Sequence, residues 1–216
     1  MRHCVSAGYP ALMAPAPVTI AFIASKGGVG KTMGTICLAA ALTHTGHSVE
    51  VLDADPQGSA SEWLEIAAEE RPTGSPIPFT YRAVNLSDLK RLRPSTDFVV
   101  IDTPPGTPDV QSAAAAAADL VIIPTTPSAD DIARTWATVD ALGPTVRLVA
   151  LLNQANPRTK LFTQVVDLLA AENVPQLATT IPTRESFKHT HGTYPTRTAL
   201  GPWLQVAEEI QEMTRP

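Results

Sequence analysis

Cysteine is scarce in this chain, which carries only Cys4 and Cys37. Two thiols so far apart make neither a disulfide framework nor a zinc-ligand set, and a reduced, cytoplasmic setting is the expectation. Aromatic residues are few as well, at 5%. Alanine and valine carry much of the apolar content, which suits a parallel sheet covered by helices of small residues. No stretch approaches the roughly 20 apolar residues that span a bilayer. The segment Met1 to Pro17 has one early Arg and no continuous apolar core, so it does not read as a secretory leader. A positive excess is also missing: the formal net charge is −5, and the surface as a whole does not advertise an anionic partner. The charge is uneven, however. From Val146 to Arg197 six Lys and Arg stand against three acids, so any basic patch is expected to belong to the C-terminal half.

What is present fits one α/β domain: 216 residues, 44% hydrophobic and 17% charged, enough to bury a proper core without a second unit. Residues 1–17 read as a flexible arm and 18–216 as the domain. Val18 to Ala24 is a short apolar run, followed by a glycine-rich turn and then by helical spacing from Thr32 to Leu42. Strands are expected over Ser48–Leu52, Pro78–Val84, Phe98–Ile101, Leu120–Ile123, Val146–Leu152 and Gln176–Ile181. Helices are expected over Ser59–Glu70, Ser87–Leu92, Ala113–Ala118, Ser128–Leu142, Thr159–Ala171 and Trp203–Met213. Alternation of this kind predicts a mostly parallel twisted sheet with helices on both faces.

The chemistry is concentrated in Ser25-Lys26-Gly27-Gly28-Val29-Gly30-Lys31-Thr32, between the first strand and the first helix. Backbone N–H groups of such a loop converge on an anion, the helix N-terminus adds its positive end, and glycines let phosphates come close. Lys31 can then reach the β- and γ-phosphates and the Thr32 hydroxyl can ligate Mg²⁺. The general pattern has Gly where Ser25 stands; this chain fits a deviant, more specific form with an additional lysine, Lys26. Two acidic strand ends follow. Asp53-Ala-Asp55-Pro-Gln-Gly-Ser59 places a carboxylate where it can face phosphate. Phe98-Val-Val-Ile-Asp102 is the Walker B arrangement, a buried strand holding a carboxylate near Mg²⁺.

With these motifs, in this order, the chain from about Val18 onward resembles the ParA/MinD group of deviant Walker A partitioning ATPases, in its short form without an N-terminal DNA-binding domain. The resemblance implies a P-loop NTPase fold and a Mg-dependent ATPase, slow without a partner. It implies that Lys26 reaches across a dimer interface to the partner's phosphates, and that Asp55 orients the attacking water near the Mg²⁺ shell. Thr103 to Thr107 corresponds to the switch that senses the γ-phosphate. The implied nucleotide contacts run from Lys26 through Gly27, Gly28, Val29, Gly30, Lys31 and Thr32 to Met33. Asn153 would hold adenine by hydrogen bonds and Pro182 by packing; the implied metal set is Thr32, Asp55 and Asp102. Met33 stands where relatives usually carry Thr or Ser, but its N–H can still meet a phosphate. Neither Cys4 nor Cys37 suits the cluster-bridging cysteine of the nitrogenase iron protein, which shares this fold.

Two functions follow from the resemblance. In one, an ATP-dependent homodimer binds nonspecific DNA on the nucleoid, and a centromere-binding-type partner stimulates hydrolysis, as in plasmid or chromosome segregation. Arg158, Lys160, Arg184 and Lys188 are the candidate DNA contacts, since such binding needs cations that displace counterions from phosphates. In the other, the chain is a MinD-like membrane ATPase or positions another cargo. The tail from Trp203 to Met213 carries acids and no lysine, so anionic lipid would repel it and no membrane partner is expected. A synthetase of the same fold would need a substrate site that no motif supplies.

Overall fold

The computed structural model describes residues 16–72, 75–183 and 191–215. Almost all of the expected arm, 1–17, lies outside them, as do Arg184 and Lys188. Six strands form one parallel sheet in the order β3-β2-β4-β1-β5-β6: β1 Val18–Phe22, β2 Val49–Asp53, β3 Thr80–Ala83, β4 Phe98–Asp102, β5 Leu120–Thr125 and β6 Leu148–Leu152. The central strands are apolar almost without interruption because helices cover both of their faces. Their alternate side chains divide between two cores. Ile20, Phe22, Val51, Val100 and Ile122 point to one, and Ala21, Ile23, Leu52, Val99, Ile101 and Val121 to the other.

The first core lies under α1 (Lys31–His44), α2 (Ser59–Glu69), a short α7 (Arg197–Leu200) and α8 (Trp203–Thr214). α1 is buried along most of its length. At Gly34 it approaches the sheet so closely that a Cβ there would lie 2.6 Å from the Phe22 ring. The acidic tail helix is part of this core: Trp203, Val206, Ala207 and Ile210 are wholly buried, each large side chain adding roughly 1.5–3 kcal/mol. The second core lies under α3 (Leu86–Lys90), α4 (Pro108–Ala117) and α5 (Ala129–Leu142), and α6 (Lys160–Ala171) covers the β6 edge.

Local signals account for most helix starts. Asn85 and Asp88 close a capping box on α3. Ser128 caps α5 and Thr159 caps α6 through backbone N–H groups three residues on. Pro108 opens α4 in the first turn, where a missing N–H costs nothing, so α4 begins earlier than the alanine run suggested. One expectation is corrected: Gln176 to Ile181 is not a strand. It meets β6 through an isolated bridge of Gln176 with Ala150 and through the N–H groups of Leu177 and Ile181, which donate to Ala150 O and Leu152 O at 3.0 and 2.9 Å. A second bridge pairs Pro182 with Ala155, beyond both segments. Between Leu177 and Ile181 the N–H groups of Ala178 and Thr179 turn away and donate to the Glu209 carboxylate of α8, at 2.7 and 2.8 Å. A carboxylate thus takes the donors that a ladder would have used.

Candidate nucleotide site

Strands β1, β2 and β4 end level. Phe22 pairs with Asp102, and Asp102 with Asp53, so two carboxylates stand side by side at the C-terminal edge of the sheet. The chain leaves β1 there and enters α1 through the glycine loop. α1 and α4 cover opposite faces, which puts this loop at the point where the direction of winding reverses, the usual ligand crevice of an open α/β sheet. Gly30, the residue before α1, has φ 95°. A Cβ on it would lie 2.2 Å from Asn153 Nδ2, so glycine is required by both conformation and space. No side chain caps α1, which leaves its first N–H groups for an anion.

Lys31 folds back over the loop and donates to the Lys26 carbonyl at 3.0 Å. Burial holds its ammonium below the ordinary range, against the opposing pull of Asp102 and Asp55. Asp102 is completely buried, and neither of its oxygens has a hydrogen-bond partner among the described residues. Burial pushes its carboxyl up to about 7; the nearby Thr32 hydroxyl and Lys31 offset this only in part, and Asp53 and Asp55 add to it. An orphaned carboxylate beside a hydroxyl is the donor set that a hydrated Mg²⁺ shared with phosphates requires. Among the described residues no group of three His, Cys, Asp or Glu side chains could cage a metal unaided. The residues therefore fit Mg²⁺ that arrives with a nucleotide.

Asp53 and Asp55 divide the labour of the second loop. Asp53 is buried and accepts from the N–H groups of Asp55 at 3.1 Å and Ser61 at 2.8 Å, which fixes the turn and the start of α2. Asp55 is partly exposed and accepts from Gln57 N–H at 2.9 Å. In the third loop the Thr103 hydroxyl donates to Phe22 O at 2.7 Å, and Gln111 of α4 donates to Ala24 O and Pro104 O. The chain leading into the phosphate loop, at Phe22 and Ala24, is thereby tied to the 103–107 turn, directly by Thr103 and through Gln111.

Lys26 makes contacts that the sequence did not foretell. Its ammonium is bound to Asp131 and lies 3.3 Å from Asp130, both in the first turn of α5. Asp131, then Asp130, raise the Lys26 pKa. Burial would push the Asp131 carboxyl up, but hydrogen bonds from Lys26 and Thr126 outweigh it and hold the group below its usual range. Asp130 is held low first by Arg134 and then by Lys26.

Asn153 and Gln154, following β6, brace the loop from the other side. Asn153 Nδ2 donates to Val29 O at 2.7 Å and Gln154 Nε2 to Gly28 O at 3.1 Å. Asn153 is wholly buried in this arrangement, and Pro182 lies one bridge away, next to Ala155. Met33 packs against the first core. Arg158 and Lys160 are exposed at the start of α6. The expectation that basic residues gather only in the C-terminal half is corrected: Lys90, Arg91 and Arg93 form an exposed cluster after β3.

Residues 20–193 match the family model described as the CobQ/CobB/MinD/ParA nucleotide binding domain. The chain is 28% identical over 178 residues to the maintenance of carboxysome distribution protein A of Halothiobacillus neapolitanus, covering 79% of this chain and 82% of that one. It is 30% identical over 187 residues to the chromosome-partitioning ATPase Soj of Thermus thermophilus, covering 70% and 75%. Among solved structures, the septum site-determining protein MinD complexed with Mg-ADP from Pyrococcus horikoshii shares the fold. Its TM-score is 0.70 at 18% identity, over 92% of this chain and 97% of that one.

Proposed function

The chain belongs to the CobQ/CobB/MinD/ParA nucleotide-binding family, and from that premise we propose that it is a Mg-dependent positioning ATPase that pairs on ATP and binds nonspecific DNA as a dimer. Hydrolysis, slow in isolation, is stimulated by a partner protein of the centromere-binding kind. The setting is the cytoplasm, on the nucleoid.

In this reading the N–H groups from Gly27 to Met33 cradle the phosphates, and Lys31 exchanges the Lys26 carbonyl for phosphate oxygens. Thr32, Asp55 and Asp102 are the residues that would hold Mg²⁺ beside the phosphates. Mg²⁺, when bound, neutralises charge on the phosphates and orients them for in-line attack. Asp55 positions the attacking water, and Asn153 and Pro182 border the adenine. Lys26 leaves Asp130 and Asp131 for the phosphates bound by the second subunit.

The observation that carries the proposal is Lys26 itself. It is a second lysine on the phosphate loop, partly exposed and engaged by carboxylates. Sedimentation with ATP, with ADP and without nucleotide tests it. A dimer is expected with ATP alone, and weaker dimerisation for Lys26→Ala; the same oligomer in every state would refute the proposal. A mobility assay at two salt concentrations should show DNA held by the ATP state and released as salt rises, with Arg158, Lys160, Arg184 and Lys188 as contacts. The similarity to a carboxysome distribution protein over 79% of the chain supports a second reading of the cargo, in which a protein assembly takes the place of a DNA segment.

A further inference from the structure

Between α3 and α4 lies an open groove of about 740 Å³, with no residue of the phosphate loop in its lining. Leu86, Leu89 and Leu92 form one side and Ala113, Ala116 and Ala117 the other. Leu89 and Ala113 are buried, whereas Leu86, Leu92 and Ala117 are half-covered and Ala116 is exposed. The alanines keep that wall low, so a helix laid along the groove can bring its backbone close.

The rim is cationic. Lys90 and Arg93 line the groove and Arg91 stands beside them, all exposed. None of the three forms an ion pair with an acidic side chain among the described residues. The neighbouring Asp88 is committed to the Asn85 N–H at 2.9 Å, and Asp109 is the one acid lining the groove. Three unpaired cations within four residues are a local exception in a chain of net charge −5. Such a rim over an apolar floor is complementary to carboxylates that flank apolar anchors. A DNA backbone could meet the cations but would leave Leu86 and Leu92 uncovered.

We propose that the α3–α4 groove is a docking surface for an acidic amphipathic helix of a partner protein, its apolar side chains on the leucine–alanine floor and its carboxylates on Lys90, Arg91 and Arg93. A helix seated there lies against α4, whose Gln111 is bonded to Ala24 O and Pro104 O. Docking itself does not depend on the nucleotide reading and is tested without nucleotide.

The test is an NMR titration of the isotope-labelled full chain with two synthetic helices of identical leucine spacing, one carrying Glu at its polar positions and the other Lys. The Glu helix should shift the amides of Leu89, Leu92, Ala113 and Ala116, and the Lys helix should leave them in place. The double variant Lys90→Glu, Arg93→Glu should bind the Glu helix at least about tenfold more weakly, and Ala116→Trp, which fills the groove, should not bind it. Shifts centred elsewhere, equal effects of the two helices, or a short DNA duplex moving the same amides more strongly than the Glu helix would each overturn the proposal. The wild-type map decides the matter even if a variant fails to fold.

Discussion

Lys26 and Asp131, 105 residues apart in the chain, are joined by a direct ion pair between the phosphate loop and the first turn of α5. Asp131 is nearly buried and also accepts from Thr126, so the lysine is anchored on a fixed carboxylate rather than on a mobile one. Any role for Lys26 beyond its own subunit begins with the loss of this bond.

Asp131→Asn should therefore loosen the hold on Lys26, leaving Asp130 as its remaining anionic partner, at only a small stability cost because the lysine is solvent-screened. With ATP the variant should dimerise at lower protein concentration than wild type, measured by sedimentation across a dilution series. Unchanged or weaker pairing, with the fold intact by circular dichroism, would mean that the ion pair does not restrain the lysine.

Lys31→Ala should lose ATP affinity by on the order of 100-fold or more, since a charge-assisted contact to phosphate is removed from a largely buried site. The fold should survive, because Lys31 anchors only to the Lys26 carbonyl. Calorimetric titration with ATP decides; tight binding by the folded variant would place the phosphates elsewhere.

Asp55→Ala should bind ATP nearly as well as wild type and hydrolyse it at least about tenfold more slowly. Asp55 bonds only to its own turn through Gln57, so little stability is at stake. Phosphate release and sedimentation measured together should show an accumulated dimer. Wild-type turnover in the variant would remove Asp55 from the chemistry.

Asp102 supplies the pH dependence. Its carboxyl, pushed up to about 7 by burial, holds its proton more tightly when folded than in the unfolded chain, where about 4 is usual. Its contribution to folding is complete below about pH 4 and is lost as the pH rises toward about 7. Without nucleotide or Mg²⁺, Asp102→Asn should be more stable than wild type at about pH 8, by on the order of 1–3 kcal/mol. The gap should narrow toward about pH 5. Thermal melts at both values check this, and a gap that ignores pH would assign the effect to something other than the charge.

The features that the sequence disclosed are those whose causes are local. The glycine loop and the apolar strands ending in Asp53 and Asp102 each carry their signal within a few residues. What it concealed depends on distant partners. Nothing near the start of α5 marks Asp130 and Asp131 as the hold on Lys26. Gln154 has no motif, yet it braces Gly28. Gln176 to Ile181 has the composition of a strand, and Glu209, some 30 residues further on, diverts its middle. The cluster from Lys90 to Arg93 was hidden by pooling its charge with the acidic remainder of the chain outside residues 146–197.

The position of β1 in the sheet also bears on how the chain matures during synthesis. β1 leaves the ribosome before the other five strands of the sheet, but it pairs with residues 98–102 and with residues 120–122, so it must wait unpaired while they are made. The loop that follows it waits longer, for Asn153 and Gln154. Non-local pairing of this kind is slow and leaves apolar segments uncovered. A nascent chain released before residue 154 would carry the complete glycine motif without the braces that shape it, so competence to hold nucleotide should appear late in translation, well after the motif itself has emerged.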